Sequence, residues 1–131
     1  MEFSKMKPTV NQIEVHPLYL DEETVQFCAE HGIIVEAYAP FAQGNKQLLE
    51  NTTLLEIAKR NEIDVHQLIL LWCLQKNFVI LPRSSNPERQ ERNIMLEGLQ
   101  IPEEDIKEID SLRFNQKDQA FKQCWNPQNI I

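Results

Sequence analysis

The sequence contains no G-x-G-x-x-G turn, no G-x-S-x-G nucleophile elbow, no H-E-x-x-H zinc pair and no P-loop. Their absence removes the local signatures of Rossmann, α/β-hydrolase, zincin and nucleotide-triphosphatase chemistry. Its cysteines are few and odd in number (Cys28, Cys73 and Cys124), without metal-type or redox-type spacing. That argues against a disulfide framework or a thiolate metal site and predicts free thiols in a reducing compartment. Cys28 and Cys73 fall on apolar helix faces and are expected in the core. Lys and Arg number 13 against 20 Asp and Glu, a net charge of -7. With no basic stripe to displace counterions, nucleic acid is not an expected partner. The longest apolar stretch, residues 68–74, is far too short to span a bilayer. Residues 1–7 carry charges without an apolar segment, so no signal peptide is expected. The expected compartment is the cytoplasm.

What is present is an α/β pattern. At 131 residues and 42% hydrophobic, the chain makes one domain at most. Strand and helix signals alternate, as in parallel sheets. Residues 10–15 form the first strand candidate. Asp21 caps the next helix, Glu22 and Glu23 suit its N-terminal dipole, and Gly32 supplies a left-handed stop. Val25, Cys28 and Ala29 form that helix's inward stripe. Residues 33–38 read as a second strand and 40–51 as a loop. Thr53-x-x-Glu56 and Asp64-x-x-Gln67 both have the form of capping boxes. The second opens an apolar helix over 65–76, stopped by Asn77. Residues 78–81 are apolar throughout, as expected for a third strand covered on both faces. A last helix covers 102–112. The polar segment 113–131, with Phe121 and Trp125, has no period. It reads as a tail that is disordered or packs over something. No internal repeat or low-complexity segment occurs.

The densest chemistry lies in Leu81-Pro82-Arg83-Ser84-Ser85-Asn86-Pro87-Glu88-Arg89, with Asn93 one turn on. Pro87 fits the first position of a helix capped by Asn86 and running to a stop at Gly98. Unpaired N–H groups and a partial positive charge mark a helix N-terminus. Arg83 and Arg89 beside it make a candidate phosphate site. In an acidic chain such a local cationic pocket is not a by-product of overall basicity.

Three segments together resemble the C-terminal half of an aldo-keto reductase. They are Lys7-Pro8-Thr9-Val10-Asn11-Gln12-Ile13-Glu14-Val15-His16-Pro17, Gly32-Ile33-Ile34-Val35-Glu36-Ala37-Tyr38-Ala39-Pro40-Phe41, and the Leu-Pro-Arg-Ser segment with Arg89 and Asn93. They fall in the family's order and spacing. The resemblance implies a (β/α)8 TIM barrel, of which residues 1–112 would supply about three parallel strands with flanking helices. A complete barrel takes about 250 residues, so the chain is expected to hold about half of one.

By this resemblance Gln12 binds the nicotinamide carboxamide and Tyr38 stacks on the nicotinamide ring. Arg83 and Ser84 contact the 2′-phosphate, Arg89 pairs with that phosphate and packs on the adenine, and Asn93 contacts the adenine. The implied cofactor is NADP(H), since two arginines at the phosphate position match the 2′-phosphorylated form. Three departures stand out. Ala39 replaces a serine, Arg92 replaces a glutamate, and the loop 42–46 lacks the family's usual serine-proline sequence.

The family's acidic tyrosine, lysine, aspartate and histidine come from the first half of the barrel. None of Tyr19, Tyr38, His16, His31 and His66 matches them, so no catalytic residue is assigned and the chain alone is expected to be inactive. No metal site is expected. One reading is therefore the cofactor-binding half of an NADP-dependent carbonyl oxidoreductase. The alternative is a non-catalytic interaction module, a pseudoenzyme that binds a protein partner. An open half-barrel is expected to self-associate or to sit on a partner, burying Val10, Ile13, Val35, Val79 and Ile80, the alternative being that the tail, with Phe121 and Trp125, folds back over the open side.

Overall fold

The computed structural model describes residues 5–116, 118 and 120–125. Residues 1–4 of the predicted start and 126–131 of the predicted tail lie outside the described residues. Three parallel strands form one sheet in the order β1-β2-β3. They are β1 (Val10–Glu14), β2 (Ile34–Tyr38) and β3 (Val79–Ile80). Gln12 pairs with Glu36 and Glu14 with Tyr38, while Ala37 pairs with Ile80. The helices are α1 (Glu22–Glu30), α2 (Lys46–Leu49), α3 (Thr52–Arg60), α4 (Val65–Gln75), α5 (Pro87–Ile94) and α6 (Glu103–Asn115).

Each connection has a local cause. Asp21 caps α1 by accepting from Thr24 N at 3.1 Å. Gly32, Glu62 and Asn77, just beyond α1, α3 and α4, all adopt positive φ. Behind each, the next residue reaches back to the helix: Ile33 N to Cys28 O at 2.8 Å, Ile63 N to Ala58 O at 3.1 Å, Phe78 N to Cys73 O at 3.1 Å. This left-handed closure satisfies the last carbonyls and turns the chain into the next element. Gly32 adopts it without strain, whereas Glu62 carries a Cβ cost. The Asp64–Gln67 capping box forms as expected. The Thr53 box does not. Asn51 caps α3 instead, accepting from Leu54 N at 3.2 Å, and Thr53 lies inside the helix. The expected loop at 40–51 contains a 3-10 turn (Ala42–Gly44) and α2. Ala29 proves exposed, so the inward side of α1 rests on Val25 and Cys28.

Helix α4 is the centre of the core. Leu68, Ile69, Leu70, Leu71, Trp72 and Cys73 are buried in succession, because α4 is covered on several sides by other elements. Leu54 and Ile57 of α3 and Ile109 of α6 are fully buried in the same cluster. Asp105 is buried at the α3–α6 contact, where it accepts from Arg60 and Asn61.

The sheet has two unlike faces. Val35, Ala37, Ile13 and Ile80 lie with the core on the helix side. The other face presents Val10, Ile34, Tyr38, Val79 and Leu81, each between 41 and 47% exposed. This corrects two expectations. The third strand is covered on one face only. Val35, Ile13 and Ile80 are covered by the chain's own helices, which leaves Val10 and Val79 of the expected set on the open face. A strand's side chains alternate, so the run 78–81 divides between a covered and an open side.

Candidate functional site

A cavity of about 590 Å³ opens at the C-terminal ends of β2 and β3, within the usual range for a small-molecule site. It gathers five of the six predicted residues, Tyr38, Arg83, Ser84, Arg89 and Asn93. Gln12 stands apart from that lining. It lies on the open face of β1, where its Nε2 donates to Glu36 Oε2 at 3.0 Å.

The mouth of α5 is built locally. Asn86 accepts from Arg89 N at 3.1 Å, with Pro87 opening the helix. The Ser84 hydroxyl accepts from Asn86 N at 3.1 Å, and Gln90 Nε2 donates to Ser84 O at 2.6 Å. These bonds hold the Arg83–Asn86 turn open toward the cavity. Arg92 is engaged by Asp64 at 3.6 Å and Glu88 at 3.8 Å. Among the described residues, Arg83 and Arg89 have no carboxylate partner. Two unneutralised guanidiniums in a chain of net charge -7 constitute an anion-binding donor set. Asn93 is buried at the inner end of this group.

Sequence reasoning did not assign the rest of the lining, which includes Phe41, Gln43, Gly44 and His66. His66 meets the Phe41 ring edge-on at 4.9 Å. Burial lowers its pKa, Arg89 and Arg92 add to that, and Asp64 opposes it. Ala39, Ala42 and Gln43 all have positive φ, so the loop is held in a backbone region that non-glycine residues rarely adopt.

It also missed Glu14. This carboxylate shares strand parity with Gln12 and is only 4% exposed. Its Oε1 accepts from His16 Nε2 at 3.1 Å and Gln123 N at 2.6 Å. Its Oε2 accepts from Lys122 Nζ at 3.1 Å and Cys124 N at 2.8 Å. Burial pushes its pKa up, but these four donors outweigh it and hold the group down to about 2. Burial holds the His16 pKa below the usual value, although Glu14 pulls it up. His16 Nδ1 is buried without a partner, which fits a neutral ring protonated at Nε2. The one sequence signal for Glu14 was its alternation with Gln12.

A pH dependence follows. Glu14 titrates at about 2 when folded against 4.5 when free. Its contribution is therefore complete above pH 4.5 and is lost as pH falls toward 2. The difference corresponds to roughly 3 kcal/mol. Asp105 acts in the same direction, since Arg60 and Asn61 lower its pKa against the raising effect of burial. Unfolding free energies from urea titrations at about pH 5 and about pH 2.5 are expected to differ by that order. An unchanged free energy would contradict the Glu14 geometry.

Among the described residues no group of three or more His, Cys, Asp or Glu could hold a metal ion. Likewise no helix there is long and apolar enough to cross a membrane.

Comparison with known proteins agrees with the geometry. The sequence model described as "Aldo/keto reductase family" matches residues 1–113. An aldehyde reductase of Saccharomyces cerevisiae is 41% identical over 109 residues, covering 83% of this chain and 34% of that protein. A solved aldo-keto reductase from a deep-sea metagenome library superposes with a TM-score of 0.88 at 30% identity. That match covers 99% of this chain and 47% of the other. A variant of Gox0644, solved in complex with NADPH, gives a TM-score of 0.80 at 28% identity, covering 86% and 41%. The chain thus spans about a third of the curated relative and under half of the solved chains.

Proposed function

The chain belongs to the aldo/keto reductase family, and from that premise we propose that it supplies the NADP(H)-binding half of a carbonyl oxidoreductase. The observation that carries this reading is the pair of arginines without a carboxylate partner among the described residues, with Ser84, at the cavity that also holds Tyr38. These residues fit the cofactor. Arg83 and Arg89 supply charge for a 2′-phosphate, and the exposed Tyr38 face suits an aromatic ring. When bound, the nicotinamide supplies or accepts the hydride of carbonyl chemistry. The chain's own residues bind and orient. Gln12 offers an amide donor and acceptor from the same sheet face as Tyr38. Asn93 lies deeper in the cleft for the adenine end.

The partner in this reading is the remainder of a barrel. The open face carries the exposed Val10, Ile34, Val79 and Leu81 around the Gln12–Glu36 pair, and a closed (β/α)8 barrel turns such a face inward. The acid–base groups of the reaction belong to that remainder.

A fluorescence titration with NADPH and NADH tests the cofactor assignment. Arg89→Ala is expected to weaken NADPH about tenfold or more, because hydrogen bonds to charged groups are worth about 1.5–3 kcal/mol. NADH binding should change much less. Equal losses for the two cofactors would remove Arg89 from the 2′-phosphate site.

A further inference from the structure

We propose that Glu14 is a positioning residue for the cavity loop, acting through residues 121–124. Glu14 does not touch the cavity. Each of its oxygens takes two donors, and three of the four come from Lys122, Gln123 and Cys124. Two of those donors are backbone amides, so this short segment lies against the carboxylate. Phe121 packs on the His16 ring at 5.2 Å, and the Lys122 ammonium sits 4.4 Å over the Tyr19 ring.

The other side of the same segment grips the cavity loop. Asn45 Nδ2 donates to Gln123 Oε1 at 2.9 Å, and Gln43 Nε2 to Cys124 Sγ at 3.6 Å. That loop needs an external hold, because Ala42 and Gln43 both sit at positive φ. It also carries Phe41, Gln43 and Gly44 into the cavity wall. The chain of contacts therefore runs from β1, through residues 121–124, to the loop that shapes the cavity. If Glu14 loses its charge, the Lys122 ammonium loses its ion pair and the part-buried Gln123 and Cys124 amides lose a charged acceptor. The segment then separates, and the strained loop loses its brace.

The inference does not require that the cavity binds NADP(H), and its test is independent of any ligand. Amide hydrogen exchange would be followed on the full chain and on Glu14→Gln. The Gln123 and Cys124 amides, and those of Gly44 and Asn45, are expected to exchange about tenfold faster or more in the variant. The α4 core amides should keep their protection, which a general loss of structure would not allow. If the variant loses protection everywhere, Lys122→Met decides, since it removes a donor and leaves the carboxylate in place. Selective loosening of segment and loop there supports the proposal. Unchanged exchange at Gly44 and Asn45 in Lys122→Met, or in a folded Glu14→Gln, overturns it.

Discussion

Supplied with a polypeptide carrying the other five of the eight barrel strands, the chain is expected to reduce aldehydes at a rate that neither part reaches alone. The expectation rests on the open sheet face. Val10, Ile34, Val79 and Leu81 stand exposed on it beside Tyr38 and Gln12. In a closed barrel that surface is interior, and under the proposed reading covering it would set the residues proposed for the cofactor opposite acid–base groups carried by the added strands. A positioned acid alone is worth about 10²–10⁴ in rate, and stabilisation of the developing alkoxide adds to it. The isolated chain should show only background oxidation of NADPH. Val79→Asp, which puts a charge on the open face, should suppress the gain while leaving the chain folded. Turnover of about 1–10³ per second by the pure isolated chain would sink this expectation. Stable association without turnover would point instead to an interaction module.

What the sequence made legible was whatever depends on short range. The Asp64–Gln67 box, the Asn86–Pro87 start and the Gly32 and Asn77 stops form as their residue types require. The gathering of Tyr38, Arg83, Ser84, Arg89 and Asn93 at one cavity also follows from their positions, at the ends of β2 and β3 and on α5, the helix that comes next. The errors arose where two local solutions competed or where a distant partner decided the outcome. Asn51 and Thr53 are both acceptable caps, and the buried Asn51 takes the role. The run 78–81 suggested two covered faces, but Val79 and Leu81 stand exposed, and an unbroken apolar run does not say what lies over each face. Glu14 gave no sign of being a hub, because three of its four donors lie more than a hundred residues away. A buried acid is legible in a sequence only when its donors are near in the chain.

Trp72 is fully buried at the centre of α4. Its Nε1 donates to Asp110 Oδ1 of α6 at 3.0 Å, and Lys76 lies over its ring and bonds Asp110 Oδ2 at 2.7 Å. Trp72→Ala empties the largest buried side chain and leaves Asp110 with one donor fewer. The expected cost is about 3–5 kcal/mol, against a total of about 5–15 kcal/mol for a typical domain. Trp72→Phe keeps most of the volume and loses chiefly the hydrogen bond, at about 1 kcal/mol. Urea midpoints at constant slope measure both. The loss should reach the site, because α4 begins at the cavity with His66 and ends at the turn that feeds β3 and Arg83. A variant that unfolds in part should therefore lose NADPH binding together with α4. A Trp72→Ala chain with an unshifted midpoint would show that α4 is not what holds the two ends of the cavity in place.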